Sequence, residues 1–331
     1  QQLSGNRGTS SSAIAAGGLP PPASAVTTVE EFTSSTSTFT AAAWSSGNAL
    51  NTGRQDVGGT GTKNAGLAIG GRTGSSGPFT QSSASEEYDG TSWTAPGNNL
   101  NTARGEASGA GSQTAAVCFG GAPDSNATET YNGSSWTNSP ATLNTGRSSG
   151  GSFGASSSSA VFCGGYGGAR VANTEEFNGS AWTNATAMPE ARYNCAGAGI
   201  EAAGIIAGGS NAPSGTVTFT TSIEYDGSSW TAGGANLIAV EGQGMNGTQA
   251  ACISYGGPNA LTLNCTTYDG TSWFTNPSMA TNRTGIGASK GASITNTMGF
   301  GGSTPPNRQM TNTEEFTAET SAANIENFTT S

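Results

Sequence analysis

The sequence predicts an all-β fold, a β-propeller of six four-stranded antiparallel blades set radially about one axis. Three observations carry that prediction. Tryptophans at 44, 93, 136, 182, 230 and 273 recur at intervals of 49, 43, 46, 48 and 43 residues. Gly-Gly pairs at 70–71, 120–121, 164–165, 208–209, 256–257 and 301–302 keep step with them. Five of the tryptophans follow an aromatic by five residues across Asp-Gly or Asn-Gly, as in Tyr88-Asp89-Gly90-Thr91-Ser92-Trp93 and Tyr131-Asn132-Gly133-Ser134-Ser135-Trp136. An aromatic, Asx-Gly and a second aromatic signal a tight hairpin, and a type I′ turn is expected because Asx-Gly supplies two positive φ angles.

Composition agrees. Charged residues make up 10% of the 331, and Gly, Ser, Thr, Asn and Ala dominate. Such a chain is poor in helix formers and suits turn-rich β structure. The net charge of −10, with no basic run, argues against nucleic acid and anionic membrane surfaces as partners. No apolar stretch approaches the roughly 20 residues of a membrane span. Five scattered cysteines (Cys118, Cys163, Cys195, Cys252, Cys265) make neither a disulfide framework nor a zinc site, and they read as small buried thiols. The start at Gln1 is expected to reflect processing or the ordered part of a longer chain.

Each period divides into four strands. The first is small and Gly-rich, as in Cys195-Ala196-Gly197-Ala198-Gly199, and suits a crowded axis. The second is apolar and ends at Gly-Gly, as in Ala160-Val161-Phe162-Cys163, so both of its faces are covered. The third ends in the aromatic, and the outer strand carries the Trp. A third marker is an apolar residue four before an Arg: Leu50/Arg54, Leu100/Arg104, Leu143/Arg147, Met188/Arg192 and Met279/Arg283. The fifth copy departs, with Leu237 before Glu241. Between the second Gly and the next aromatic the gap is 17, 10, 12, 16, 11 or 14 residues, so length varies mainly in one connection per repeat. Such variation maps to loops on one face.

Gly-Gly, Glu-aromatic and Trp in this order resemble the kelch repeat, over roughly residues 29–317. Glu-Tyr or Glu-Phe stands at 31–32, 87–88, 176–177, 224–225 and 315–316, whereas Thr130-Tyr131 and Thr267-Tyr268 depart. The last period reaches Glu315-Phe316 without a Trp, and Trp44 lacks a preceding Arg and Gly-Gly. The strand around Trp44 is therefore expected to complete the last blade and remove an open edge. Phe32 and Phe316 compete for its third strand, and Phe316 is favoured. Residues 1–28, with Pro20-Pro21-Pro22, read as an extended or flexible arm, and 318–331 as an exit segment.

The chain has no histidine, which removes Ser-His-Asp and Cys-His catalysis and histidine metal sites. Kelch-like propellers that oxidise sugars with copper use histidine and tyrosine ligands, so that chemistry is excluded too. No cofactor and no metal are expected. Arg54, Arg104, Arg147, Arg192 and Arg283 are the candidate ligand-binding residues, a partial ring beside the variable loops that could hold carboxylates as arginines do in six-bladed sialidases. The competing reading is a brace between blades, one per repeat. The Asp-Gly-Thr-Ser-Trp turn is similar to the sialidase Asp box, but Asp and Gly are adjacent here, so the pattern fails. Trp44, Trp93, Trp136, Trp182, Trp230 and Trp273 are read as structural, packing blade on blade rather than stacking on sugars. The Glu before each aromatic is expected to be a solubilising edge charge.

Gly/Ser/Thr/Asn-rich blades with an arm and a Thr-rich tail resemble kelch-like virion proteins of marine tailed bacteriophages. That resemblance implies a non-enzymatic virion protein, a head decoration or a fibre or receptor-contacting domain. It would bind other virion proteins through its arm and a host-surface glycan or protein through its loop face. A virion-surface or extracellular location follows from the same resemblance. An extracellular carbohydrate-binding lectin or adhesin is the alternative, and a glycan-cleaving hydrolase a weaker one.

Overall fold

The computed structural model describes residues 4–5, 12–18, 26–33, 39–74, 79–211, 218–257, 265–304, 309–321 and 327–330. They form two units, Ala43–Thr317 and a smaller one combining Gln1–Ala42 with Ala318–Ser331. No helix among the described residues is long and apolar enough to cross a membrane.

The larger unit is a six-bladed β-propeller of four-stranded antiparallel sheets. Blade 1 runs Gly58–Thr62, Ala65–Ile69, Ser85–Tyr88 and Trp93–Thr94 from the axis outward. Blades 2 to 5 repeat that order over residues 108–138, 151–185, 196–235 and 244–275. Blade 6 takes Gly287–Ala288, Met298–Phe300 and Thr313–Thr317 from the end of the unit and Ala43–Gly47 from its beginning. Phe316 pairs with Trp44 in that closing register, their rings 5.3 Å apart. Phe32 instead pairs with Phe328 in the smaller unit, where Ser12–Gly18, Val26–Thr33 and Asn327–Thr330 share a sheet. Residues 29–33 and 39–42, within the propeller range given above, fall in that smaller unit.

Small residues let the inner strands converge. A Cβ on Gly59 would lie 2.4 Å from the carbonyl oxygen of Ala288 on the neighbouring inner strand. Both glycines of every Gly-Gly pair have positive φ, 58° and 108° at Gly70 and Gly71, a conformation that side-chain-bearing residues rarely adopt. The second glycine of each pair spans to the next blade. Gly71 N–H donates to Arg104 O, Gly121 to Arg147, Gly165 to Arg192, Gly257 to Arg283 and Gly302 to Arg54. In the fifth copy the acceptor is Val240, reached from Gly209. The repeat position there is thus Asn236/Val240, not Leu237/Glu241. Asn236 is buried and Leu237 is 54% exposed.

The hairpins before the tryptophans differ from a type I′ turn. Only the glycine has positive φ, 89° at Gly90, while Asp89 turns its carboxylate inward. Asp89 Oδ1 accepts from the Thr91 and Ser92 amides at 2.8 and 2.7 Å. Those bonds hold the Asp89 carboxyl below the usual carboxylate range. The Asx side chain closes the loop, so its own φ need not be positive.

Candidate functional site

The five arginines are not ligand groups. Arg54, Arg104, Arg147, Arg192 and Arg283 are at most 1% exposed. Arg54 spends Nη1 on the carbonyls of Gly70 and Ala84 and Nη2 on Glu86 Oε1, 2.7 Å away. Arg104 pairs in the same way with Glu129, Arg147 with Glu175 and Arg283 with Glu314. In blade 4 Ile223 stands at the glutamate position, and Arg192 turns to Glu190 and Thr221. Blade 5 has neither partner, with Val240 and Thr266 in their places. Each arginine is therefore a buried clamp that ties a blade's lead-in segment to its third strand, and its carbonyl receives the preceding blade.

The tryptophans also work between blades. Trp93 Nε1 donates to Thr313 Oγ1, Trp136 to Ser85 Oγ and Trp182 to Thr128 Oγ1, each acceptor on the preceding blade. Trp230 and Trp273 repeat the bond to Thr174 and Ser222. Trp44 lies against Tyr255 and Phe316, 5.0 and 5.3 Å between ring centroids.

The glutamates before the aromatics are not free edge charges. Tyr131 donates its hydroxyl to Glu87 Oε1, Tyr225 to Glu176, Tyr268 to Glu224 and Tyr88 to Glu315, at 2.6 to 2.8 Å. Edge exposure explained these residues poorly because the neighbouring blade covers the strand.

With the repeated side chains committed to the fold, the chemistry collects at one end of the axis. The residue two after each Arg position is left-handed in all six blades: Asp56, Glu106, Ser149, Asn194, Gly242 and Gly285, with φ from 54° to 63°. Their backbones close a ring. Glu106 N–H donates to Asp56 O, Ser149 to Glu106, Asn194 to Ser149, Gly242 to Asn194, Gly285 to Gly242 and Asp56 to Gly285, at 2.7 to 3.1 Å. Nothing in the sequence reading singled out this ring. A signal existed, since five of the six residues are Asp, Asn, Gly or Ser, types suited to turns and tight backbone.

Side chains at this mouth are uneven around the axis. Blades 5 and 6 offer glycine to the ring, whereas blades 1 to 4 offer two carboxylates, a hydroxyl and an amide. Arg72, directly after the Gly-Gly of blade 1, places Nη1 2.6 Å from Glu106 Oε1 and 3.5 Å from Asp56 Oδ2. Ser149 Oγ donates to Glu106 Oε2 at 2.6 Å, and Gln55 Nε2 to Asp56 Oδ2 at 3.3 Å. Burial, and then the charge of Glu106, lifts the Asp56 carboxyl to about 6. Burial and the same two carboxylates raise the Tyr193 phenol. Tyr166, 38% exposed, meets Tyr193 edge-on at 6.2 Å, and the Arg170 guanidinium lies 5.2 Å from the Tyr193 ring centre. Beneath the ring lies a cavity of about 120 Å³ bounded by Asp56, Glu106, Ser149 and Asn194. The site thus combines carboxylate acceptors, guanidinium, amide and hydroxyl donors, and one exposed aromatic face. Among the described residues no cluster of His, Cys, Asp and Glu could hold a metal ion, and all five cysteines are free and buried.

Comparison with known proteins supports the fold. The solved structure of YjhT superposes with a TM-score of 0.65 at 13% identity, covering 84% of this chain and 99% of that one. The likeness is one of propeller architecture. No protein-family model matches the chain, and no curated protein matches it.

Proposed function

We propose that this chain is a non-enzymatic recognition and display protein built on kelch-like repeats, with the ring mouth of blades 1 to 4 as its contact surface. The observation that carries the reading is a division of labour. The arginines and glutamates that recur from blade to blade are paired within the fold, whereas the polar groups around Asp56, Glu106 and Arg72 occur once and gather at one end of the axis. Rigid scaffolds carry binding residues on such irregular connections. Paired acceptors and donors beside an exposed Tyr166 suit a hydroxylated ligand, and a cell-surface glycan is the proposed class. The setting proposed is the surface of a tailed-phage virion, with the terminal segments contacting other virion proteins. That setting rests on sequence texture alone, and an extracellular lectin would use the same mouth. Mass spectrometry of the source particle tests the setting: the chain should co-purify with capsid or tail proteins, and its absence from particles would remove the virion role. A glycan array tests the binding role.

One observation favours an enzymatic reading. A carboxyl lifted to about 6 with a second carboxylate beside it, as Asp56 has in Glu106, is the pairing used for general acid and base work. In that reading Asp56 would protonate the glycosidic oxygen as its bond to the sugar carbon breaks, and Glu106 would take a proton from the water that bonds to that carbon. Turnover of a glycan by the wild type, lost in Asp56→Asn, would establish it; binding without turnover favours display.

A further inference from the structure

The opposite end of the axis holds a second site that owes nothing to the ring mouth. The hairpin turns between first and second strands of all six blades enclose a cavity of about 660 Å³, to which Gly61, Gly111, Gly154, Gly199, Gly247 and Gly291 each contribute one blade. Its remaining wall is mostly small and apolar, with Ile200, 43% exposed, among the lining residues. One cationic side chain, Lys290, lines it. Lys290 also lines a narrower cavity of about 110 Å³ further along the axis, so it stands at the seam between the two.

The position of Lys290 is built rather than incidental. Its own N–H donates to Gly61 O of blade 1, and Gly247 N–H of blade 5 donates to Gly291 O, which pins this backbone between its neighbours. From blade 6 the side chain crosses the axis. Its Nζ donates to Gly197 O at 2.7 Å and to Ser152 O at 3.0 Å, on the inner strands of blades 4 and 3. An ammonium carries three donors, so two carbonyls leave one over. Both partners are neutral, and among the described residues no carboxylate pairs with Lys290. The nearby thiols Cys163 and Cys195 are raised by burial and bring no negative charge. Burial pushes the Lys290 amine down to about 8, as for a cation lacking a counter-ion.

We infer that the hairpin-side cavity binds a small amphiphilic anion, an apolar body among the hairpin turns with a carboxylate or similar singly charged oxyanion reaching the remaining Lys290 donor at the seam with the narrower cavity, which Ser152 and Gly197 line. The cavity volume falls in the range of small-molecule sites, and its apolar wall with one placed charge is their usual make-up. A negative acceptor suits the remaining donor because both existing partners are neutral and leave the charge of the ammonium uncompensated.

Octanoate is the probe, with octan-1-ol as its neutral counterpart and octylamine as its cationic one. Calorimetry on the full chain should show octanoate binding about tenfold or more tightly than octanol, equivalent to roughly 1.4 kcal/mol, and no octylamine binding. Lys290→Gln should abolish the preference. A second readout uses the wild type alone, because Lys63 and Lys290 are the only lysines. Octanoate should slow acetylation of Lys290 by acetic anhydride while leaving Lys63 unchanged, as read by peptide mass spectrometry. Equal binding of octanol and octanoate, or Lys290 acetylation indifferent to octanoate, would overturn the inference. Neither result bears on the ring mouth at the other end.

Discussion

The Tyr131 hydroxyl lies 2.8 Å from Glu87 Oε1 on the preceding blade, and this contact follows a rule around the whole propeller. Where the next blade carries tyrosine, the preceding one supplies glutamate: Glu87/Tyr131, Glu176/Tyr225, Glu224/Tyr268 and Glu315/Tyr88. Where the next blade carries Phe177 or Phe316, the glutamate position is Thr130 or Thr267. A carboxylate facing a phenyl edge would lose its hydroxyl donor, so the two positions change together. Tyr131→Phe should therefore cost about 1.5–3 kcal/mol, the value of a hydrogen bond to a charged group. Adding Glu87→Thr should restore part of that loss. Chemical denaturation of the four proteins in this cycle checks the coupling; additive losses would contradict it.

The same tyrosines set an alkaline limit. Burial, and then hydrogen bonding to Glu224, lifts Tyr268 to about 12, and Tyr88, Tyr131 and Tyr225 are raised further for the same reasons. A raised phenol pKa favours the folded state below the unfolded value near 10, and that contribution fades as pH climbs toward the folded value. Stability is expected to hold between pH 7 and 9 and to fall steeply above about 10. Denaturant titrations across that range measure it, and Tyr131→Phe should blunt the slope.

Blade 5 has already replaced the clamp that the other blades keep. Removing one partner of a buried pair strands a charge at a cost of about 3–5 kcal/mol, whereas replacing both can be nearly neutral. Arg104→Val and Glu129→Thr should each destabilise strongly. The double variant, which reproduces the Val240/Thr266 pair, should be more stable than either single one. Thermal melts of the three decide it.

Acid should stabilise the ring mouth. Asp56 ionises near 6 when folded, against an ordinary value of 3.8. The folded state then binds the proton more tightly than the unfolded one, so the stabilising contribution is complete below 3.8 and is lost as pH rises through 6. A shift of this size corresponds to on the order of 2–3 kcal/mol. Asp56→Asn should remove that part of the pH dependence. Asparagine also tolerates the left-handed backbone at this position. Stability measured from pH 4 to 7.5 in both proteins checks the difference.

Much of the fold was legible because a propeller repeats its markers. Trp44 without a Gly-Gly and Phe316 without a Trp were enough to place the closing strand. The phase of blade 5 was misread because Leu237 mimics the apolar marker by composition, whereas the backbone bond from Gly209 picks out Val240. The site was harder to see for a related reason. Residues on a constant phase, such as Arg147, attract attention but recur because they pack and pair within the fold, as the buried Arg147–Glu175 pair does. Asp56, Glu106 and Arg72 stand at positions whose residue type changes from blade to blade, and only the ring of backbone bonds singles them out. The glutamates were read as edge charges because their tyrosine partners lie about 44 to 49 residues away, or 227 for Glu315.

The account stands or falls on whether recognition resides at that mouth. The decisive measurement is a titration of the strongest glycan-array ligand against the wild type and against Glu106→Gln, with Phe274→Ser as a control that alters an exposed residue of the outer strand of blade 5. The account predicts that Glu106→Gln keeps its fold by circular dichroism and loses at least tenfold in affinity, while Phe274→Ser binds like the wild type. Undiminished binding by Glu106→Gln, or no ligand on the array at all, would contradict it.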